Sequence, residues 1–119
     1  MAIDPALLNW LLNSDPALRW RVERDLAGAP RETWAATRES IATEGFGARL
    51  LELQDADGQW AGGSFFPKDF DFTGPEAAEG AGQPWTATTW TLNTLREWGL
   101  DASALEGTAE LLEANSRWD

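Results

Sequence analysis

The stretch "LLELQDADGQW", Leu50 to Trp60, decides how this chain is read. A leucine-rich run of helical character breaks at Gln54, and the pattern that follows is Q-x-x-x-G-x-W. The Gln amide can bond the orphan carbonyls at the end of its own helix, or reach the start of a neighbouring one. Asp57-Gly58 makes a tight turn, with Gly58 free to take positive φ. Trp60 can then fold back and offer its indole face to the Gln amide. The expected result is a helix terminus tied to a loop, and nothing in that arrangement requires catalysis.

Working outward, the punctuation predicts helices on both sides. Asp4-Pro5 and Asp15-Pro16 each place an N-cap Asp before a first-turn Pro. The first helix carries Leu7, Leu8, Trp10, Leu11 and Leu12 and stops near Asn13-Ser14. The second runs from Pro16 to about Leu26, with Leu18, Val22 and Leu26 on one stripe, and Gly28 ends it. Pro30 starts a third through Trp34, Arg38 and Ile41, and a shorter fourth carries Phe46, Leu50 and Leu53. Helix resumes at Pro84, with Trp85, Thr88, Leu92 and Leu95 aligned, Trp90 and Trp98 beside them, and Gly99 as the terminating glycine. A last helix is capped by Asp101 or Ser103 and runs through Leu105, Leu111 and Leu112. A weak repeat pairs "EGFGARLLE" (Glu44–Glu52) with "EGTAELLE" (Glu106–Glu113), each followed by a Trp, Trp60 and Trp118. Two copies fall short of the three or more that repeat folds need.

The segment from about 55 to 83 differs. It is rich in Gly and acidic residues, yet it holds Trp60, Phe65, Phe66, Phe70 and Phe72. A solvated linker does not carry five large aromatics, so this reads as a packed or functional loop.

Composition removes whole classes of chemistry. The chain has 119 residues, which favours one domain, and 43% hydrophobic residues, which favours a folded one. Its formal charge is -11, so the basic footprint of a nucleic-acid or anionic-membrane binder is missing. There is no Cys and no His, which removes disulfides, thiolate nucleophiles, the usual zinc ligands and every triad built on His. Eight Trp and no Tyr is unusual, and Lys68 is the lone lysine among nine basic residues. No segment approaches the roughly 20 apolar residues of a membrane span. The start "MAIDPALL" lacks the basic region of a signal peptide, so the expected location is the cytoplasm.

"FGARLLELQDADGQW" resembles the QW motif of the terpenoid cyclases and the related protein prenyltransferases. "GQPWTATTWTLNTLREWGLD" is similar to the following helix of such repeats, where Thr, Ala and Trp face the barrel. The chain looks like the N-terminal part of small bacterial squalene-cyclase-like proteins, over roughly Glu44 to Leu100. That resemblance implies an α/α toroid and an apolar, polycyclic or isoprenoid-like ligand. It carries over no catalytic residue. The D-x-D-D acid motif of the cyclases is absent, the nearest string being "DFDFT" (Asp69–Thr73). The D-D-x-x-D magnesium motif and the Cys and His of the prenyltransferase zinc site are absent too.

The expectations are therefore these. The fold is all-α, a helical-hairpin array like part of an α/α toroid, with HEAT-like helices over 1–43 and a toroid-like unit over 44–119 as one domain. Gln54, Gly58 and Trp60 form a structural tie. The function is small-molecule binding without catalysis, in a cleft lined by Trp60, Phe65, Phe66, Phe70, Phe72, Trp85, Thr88 and Trp90. Acidic loop residues could favour a cationic ligand through cation–π contact. Asp69, Asp71, Glu76 and Glu79 form the densest acidic run, which matches no EF-hand, so neither metal nor cofactor is expected. Two alternatives stand beside binding. One is a carboxylate-driven cyclase or isomerase, with Asp71 or Asp69 as the acid and the phenylalanines desolvating it to raise its pKa. The other is an interaction module whose half-toroid completes itself as a homodimer.

Overall fold

The computed structural model describes residues 2–75 and 85–116. Among these the regular elements are all helical, and the nearest approach to a strand is one isolated antiparallel bridge between Trp60 and Gly63. Glu76, Glu79, the expected helix start at Pro84, and Trp118 lie outside the described residues. No described helix is long and apolar enough to cross a membrane.

The N-terminal helices begin where local chemistry places them. Helix α1 is Pro5–Leu12, with the Asp4 side chain accepting from the Leu7 N–H. Helix α2 is Pro16–Arg21, with Asp15 accepting from the Ala17 N–H. It runs on into a widened π-helical turn over Val22–Leu26, closed by the Ala27 N–H on the Val22 carbonyl. Helix α3 is Arg31–Glu39, tightening into a 3₁₀ turn at Ser40–Ala42, and α4 is Gly45–Glu52. Pro30 sits in extended conformation just outside α3 instead of inside its first turn.

One carboxylate serves two helices. Asp15 Oδ2 caps α2 at 2.9 Å from the Ala17 nitrogen, while Oδ1 accepts from Phe46 N–H at 2.9 Å, at the start of α4. Orphan N–H groups at two helix starts are thereby satisfied by one side chain. Gly45 makes the approach possible. Its φ is +69°, and a Cβ there would lie 2.0 Å from Asp15 Oδ1.

Helix α5 is Thr88–Trp98 and α6 is Thr108–Asn115, with a 3₁₀ turn at Ala102–Leu105 between them. The last helix predicted from the sequence is thus two elements, because the chain breaks at Gly107 in left-handed conformation. Helix α5 starts later than Pro84. Trp85 and Thr86 lie in a turn, and the amides of Thr88 and Thr89 are taken by the carbonyls of Gly63 and Ser64 at 3.0 and 2.9 Å.

The chain forms two compact units, one of residues 1–52 and 95–104, the other of 53–94 and 105–119. Segment 95–104 belongs with the N-terminal helices because their side chains close the end of α5. Trp20 Nε1 donates to the Trp98 carbonyl at 2.9 Å, Arg38 Nε donates to the Gly99 carbonyl at 2.7 Å, and Arg21 donates to the Glu97 carbonyl. Three donors, two of them cationic, so meet carbonyls at the negative end of a helix. The core of this unit is Trp20, Val22, Ile41 and Leu95, with Ile41 and Leu95 fully buried.

Asp15→Ala is expected to lower stability by roughly 1–3 kcal/mol, since it uncaps two helix starts at about 1 kcal/mol or more each. Gly45→Ala should destabilise as well, through both φ and the clash, while Asp15→Asn should retain most of the capping. Urea unfolding followed by far-UV circular dichroism reads all three.

Candidate functional site

The second unit is built around the turn from Gln54 to Trp60. Gln54 Nε2 donates to the Gly58 carbonyl and to Thr108 Oγ1, both at 3.0 Å. The amide therefore closes its own turn and holds the first residue of α6. The turn is completed by the Asp55 N–H on the Gln59 carbonyl and the Gly58 N–H on the Asp55 carbonyl, at 2.8 and 2.9 Å. Gly58, at φ +89°, lets α6 lie against the turn, because a Cβ there would come 2.7 Å from Leu111 Cβ.

Trp60 is core, 2% exposed. At roughly 25 cal/mol per Å², burying an indole of 150–250 Å² is worth on the order of 4–6 kcal/mol. Its backbone N–H donates to Thr88 Oγ1 at 2.9 Å, and the Thr88 hydroxyl donates to the Gly63 carbonyl at 2.7 Å. Thr88 is itself buried at 4% exposure, so one hydroxyl links the buckle to the first residue of α5.

Among the described residues, the predicted lining aromatics of the loop and near the start of α5 form separate groups. Phe66, Phe70 and Phe72 form a triangle with ring centroids 4.8–5.0 Å apart. At that spacing the three rings are in contact with one another. Phe66 and Phe72 also keep a solvent-exposed face. Trp85 and Trp90 make an edge-to-face pair at 5.3 Å, and Trp90 Nε1 donates to the Phe65 carbonyl at 2.8 Å. These rings pack on each other, as aromatics do when no larger core is in reach.

Asp71 corrects a second expectation. The phenylalanines do not desolvate it, for it is exposed. The Thr73 side chain, and after it the Thr73 backbone N–H, donate to its carboxylate and hold its pKa below the usual range. A group stabilised as the anion is a poor general acid near neutral pH. Asp69 lies elsewhere, on a polar cavity of about 570 Å³ that it shares with Asp55, Asp57, Gln59, Lys68 and Asn115. Among the described residues no group of three or more acidic side chains is arranged to hold a metal ion.

A second cavity, of about 440 Å³, lies between α5 and α6. Leu92, Ala109 and Leu112 supply its apolar wall, and Ser64, Thr89 and Ser116 its hydroxyls. Thr88 is the one predicted ligand residue on it. The Ser64 and Ser116 hydroxyls are 2.5 Å apart and close one end. Ala109, Leu112 and Glu113 follow the i, i+3, i+4 spacing of one helical face. That spacing is legible in the sequence of α6.

No protein-family model, no curated protein and no solved structure matches the chain.

Two measurements check this geometry. Thr88→Val removes the buried hydroxyl while keeping its shape, and should cost roughly 1–3 kcal/mol for each backbone group left without its partner, with Thr88→Ser milder. The second concerns Asp57, whose pKa is lowered first by the Gln59 side chain and then by its backbone N–H. A depressed carboxylate stabilises the fold above its unfolded pKa of about 3.9, and that contribution is lost as pH falls through the folded value. Carboxyl NMR titration should place the Asp57 midpoint below that of a free Asp, and Gln59→Leu should move it upward.

Proposed function

We propose that this chain binds a small molecule with an apolar body and a polar end, without converting it. The observation that carries this reading is the α5–α6 cavity: about 440 Å³, walled by Leu92, Ala109 and Leu112, with hydroxyls at its edge. That combination of an apolar wall and a few placed polar groups is typical of ligand pockets. The resemblance of Phe46–Trp60 to the QW motif points to the same ligand class, isoprenoid-like or polycyclic. The lining differs from the one expected, since it is aliphatic and hydroxylic instead of aromatic. Turnover has less support, because the Asp71 carboxylate is held as the anion and Asp69 is on a different cavity.

A second reading has its own observation. By sequence the second unit holds ten acidic residues against two basic ones, and its 570 Å³ cavity is lined by three of those Asp. A cationic ligand would be drawn there.

Trp60, Trp85 and Trp90 all lie in this unit and serve as reporters. Titration with farnesol is expected to shift or quench Trp emission, and Ala109→Phe, which fills the apolar cavity, should abolish the response with helical content unchanged. A response to spermidine that is lost in Asp69→Asn would transfer the site to the polar cavity. Silence toward both ligands would refute binding in this unit.

A further inference from the structure

The first unit carries a cavity of a different kind, about 260 Å³ in volume. Four of its lining residues follow from helical spacing. Arg31, Trp34, Ala35 and Arg38 stand at i, i+3, i+4 and i+7 on α3 and so share a face. Ala35 is the small residue of the four, and the hollow lies over it. Across the hollow, Asp101 and Ser103 come from the turn that follows α5.

The charges around this hollow are opposite and unjoined. Among the described residues the ion pair is Arg24 with Asp25, so neither Arg31 nor Arg38 is paired to a carboxylate there. Arg38 donates Nε to the Gly99 carbonyl, which anchors the arm beside the hollow that it lines. Asp101 accepts from the Ser103 N–H through Oδ1 at 2.9 Å, and the Ser103 side chain donates to the same carboxylate. Its carboxylate is held below the ordinary pKa range, first by hydrogen bonds from Ser103 and last by the charge of Arg38. Arg38 and Asp101 thus feel each other across the gap without touching. Glu39 adds a second carboxylate to the lining. Trp34 supplies an apolar wall, with the Arg31 guanidinium 5.8 Å from its ring centroid.

We infer that this cavity binds a small zwitterion of the free α-amino-acid class. The ligand carboxylate lies on the Arg31 and Arg38 guanidiniums, its ammonium on Asp101 and Glu39, and its side chain on the Trp34 ring. A simple anion meets the two carboxylates as repulsion, and a simple cation meets the two arginines. A molecule carrying both charges a few bonds apart satisfies both walls at once. This site is independent of the cavity between α5 and α6, so the failure of either proposal leaves the other standing.

Calorimetric titration of the full chain with L-leucine, L-leucinamide and N-acetyl-L-leucine tests it. Leucine is expected to bind with a Kd of about 1 mM or tighter, and each derivative, lacking one charge, about tenfold or more weaker. Ala35→Leu fills the hollow and should abolish leucine binding with the native circular dichroism retained. Arg31→Gln provides a second variant at an exposed position. It should weaken leucine about fivefold or more and leave leucinamide unchanged. Three outcomes would overturn the inference: no leucine binding up to about 10 mM, equal affinity for the three probes, or leucine affinity unaffected by Arg31→Gln.

Discussion

The hydroxyl of Thr88 is the joint on which the second unit depends. It accepts from the Trp60 amide and donates to the Gly63 carbonyl, inside a region closed to water. Any backbone group buried there without a partner would cost about as much as a hydrogen bond gains. One short side chain resolves two such groups at the point where a loop meets a helix start. The Gln54 amide does the corresponding work at α6, reaching both the Gly58 carbonyl and the Thr108 hydroxyl. Loop 54–64 is consequently fixed to the first residues of both helices that wall the apolar cavity.

The first unit solves the opposite problem, at helix C-termini. Trp20, Arg21 and Arg38 deliver donors to three successive carbonyls, Glu97 to Gly99. The arginines also crowd the indoles. Arg24 lies 4.6 Å and Arg38 5.4 Å from the Trp20 ring centroid, where cation–π attraction adds to packing. By sequence this unit holds seven of the eight arginines, which leaves the other unit strongly acidic. The charge of -11 is therefore an uneven distribution, and a ligand's charge decides which unit attracts it.

What was legible in the sequence is what local chemistry decides. The Asp4 and Asp15 caps, the prolines behind them and the all-α class follow from signals a few residues long. The second role of Asp15, at Phe46 N–H, could not be read, because its partner is 31 residues away. The Q-x-x-x-G-x-W spacing marked a tie, but neither Thr108 nor Thr88 could be named as its anchor from spacing alone. Composition says that Phe66, Phe70 and Phe72 need company, yet only the fold decides that they keep company with one another. The same holds for Asp71, whose neighbours in sequence are phenylalanines but whose hydrogen-bond partner is Thr73.

The central claim is that a buried backbone buckle, centred on Trp60 and Thr88, holds the second unit in shape. Hydrogen exchange at the Trp60 amide, measured by NMR on the unliganded chain, tests it most directly. The amide should exchange as slowly as the slowest core amides, requiring global unfolding, because its acceptor is the buried Thr88 hydroxyl. Exchange of the Trp60 amide at the rate of an exposed loop, while the helix amides stay protected, would contradict the claim.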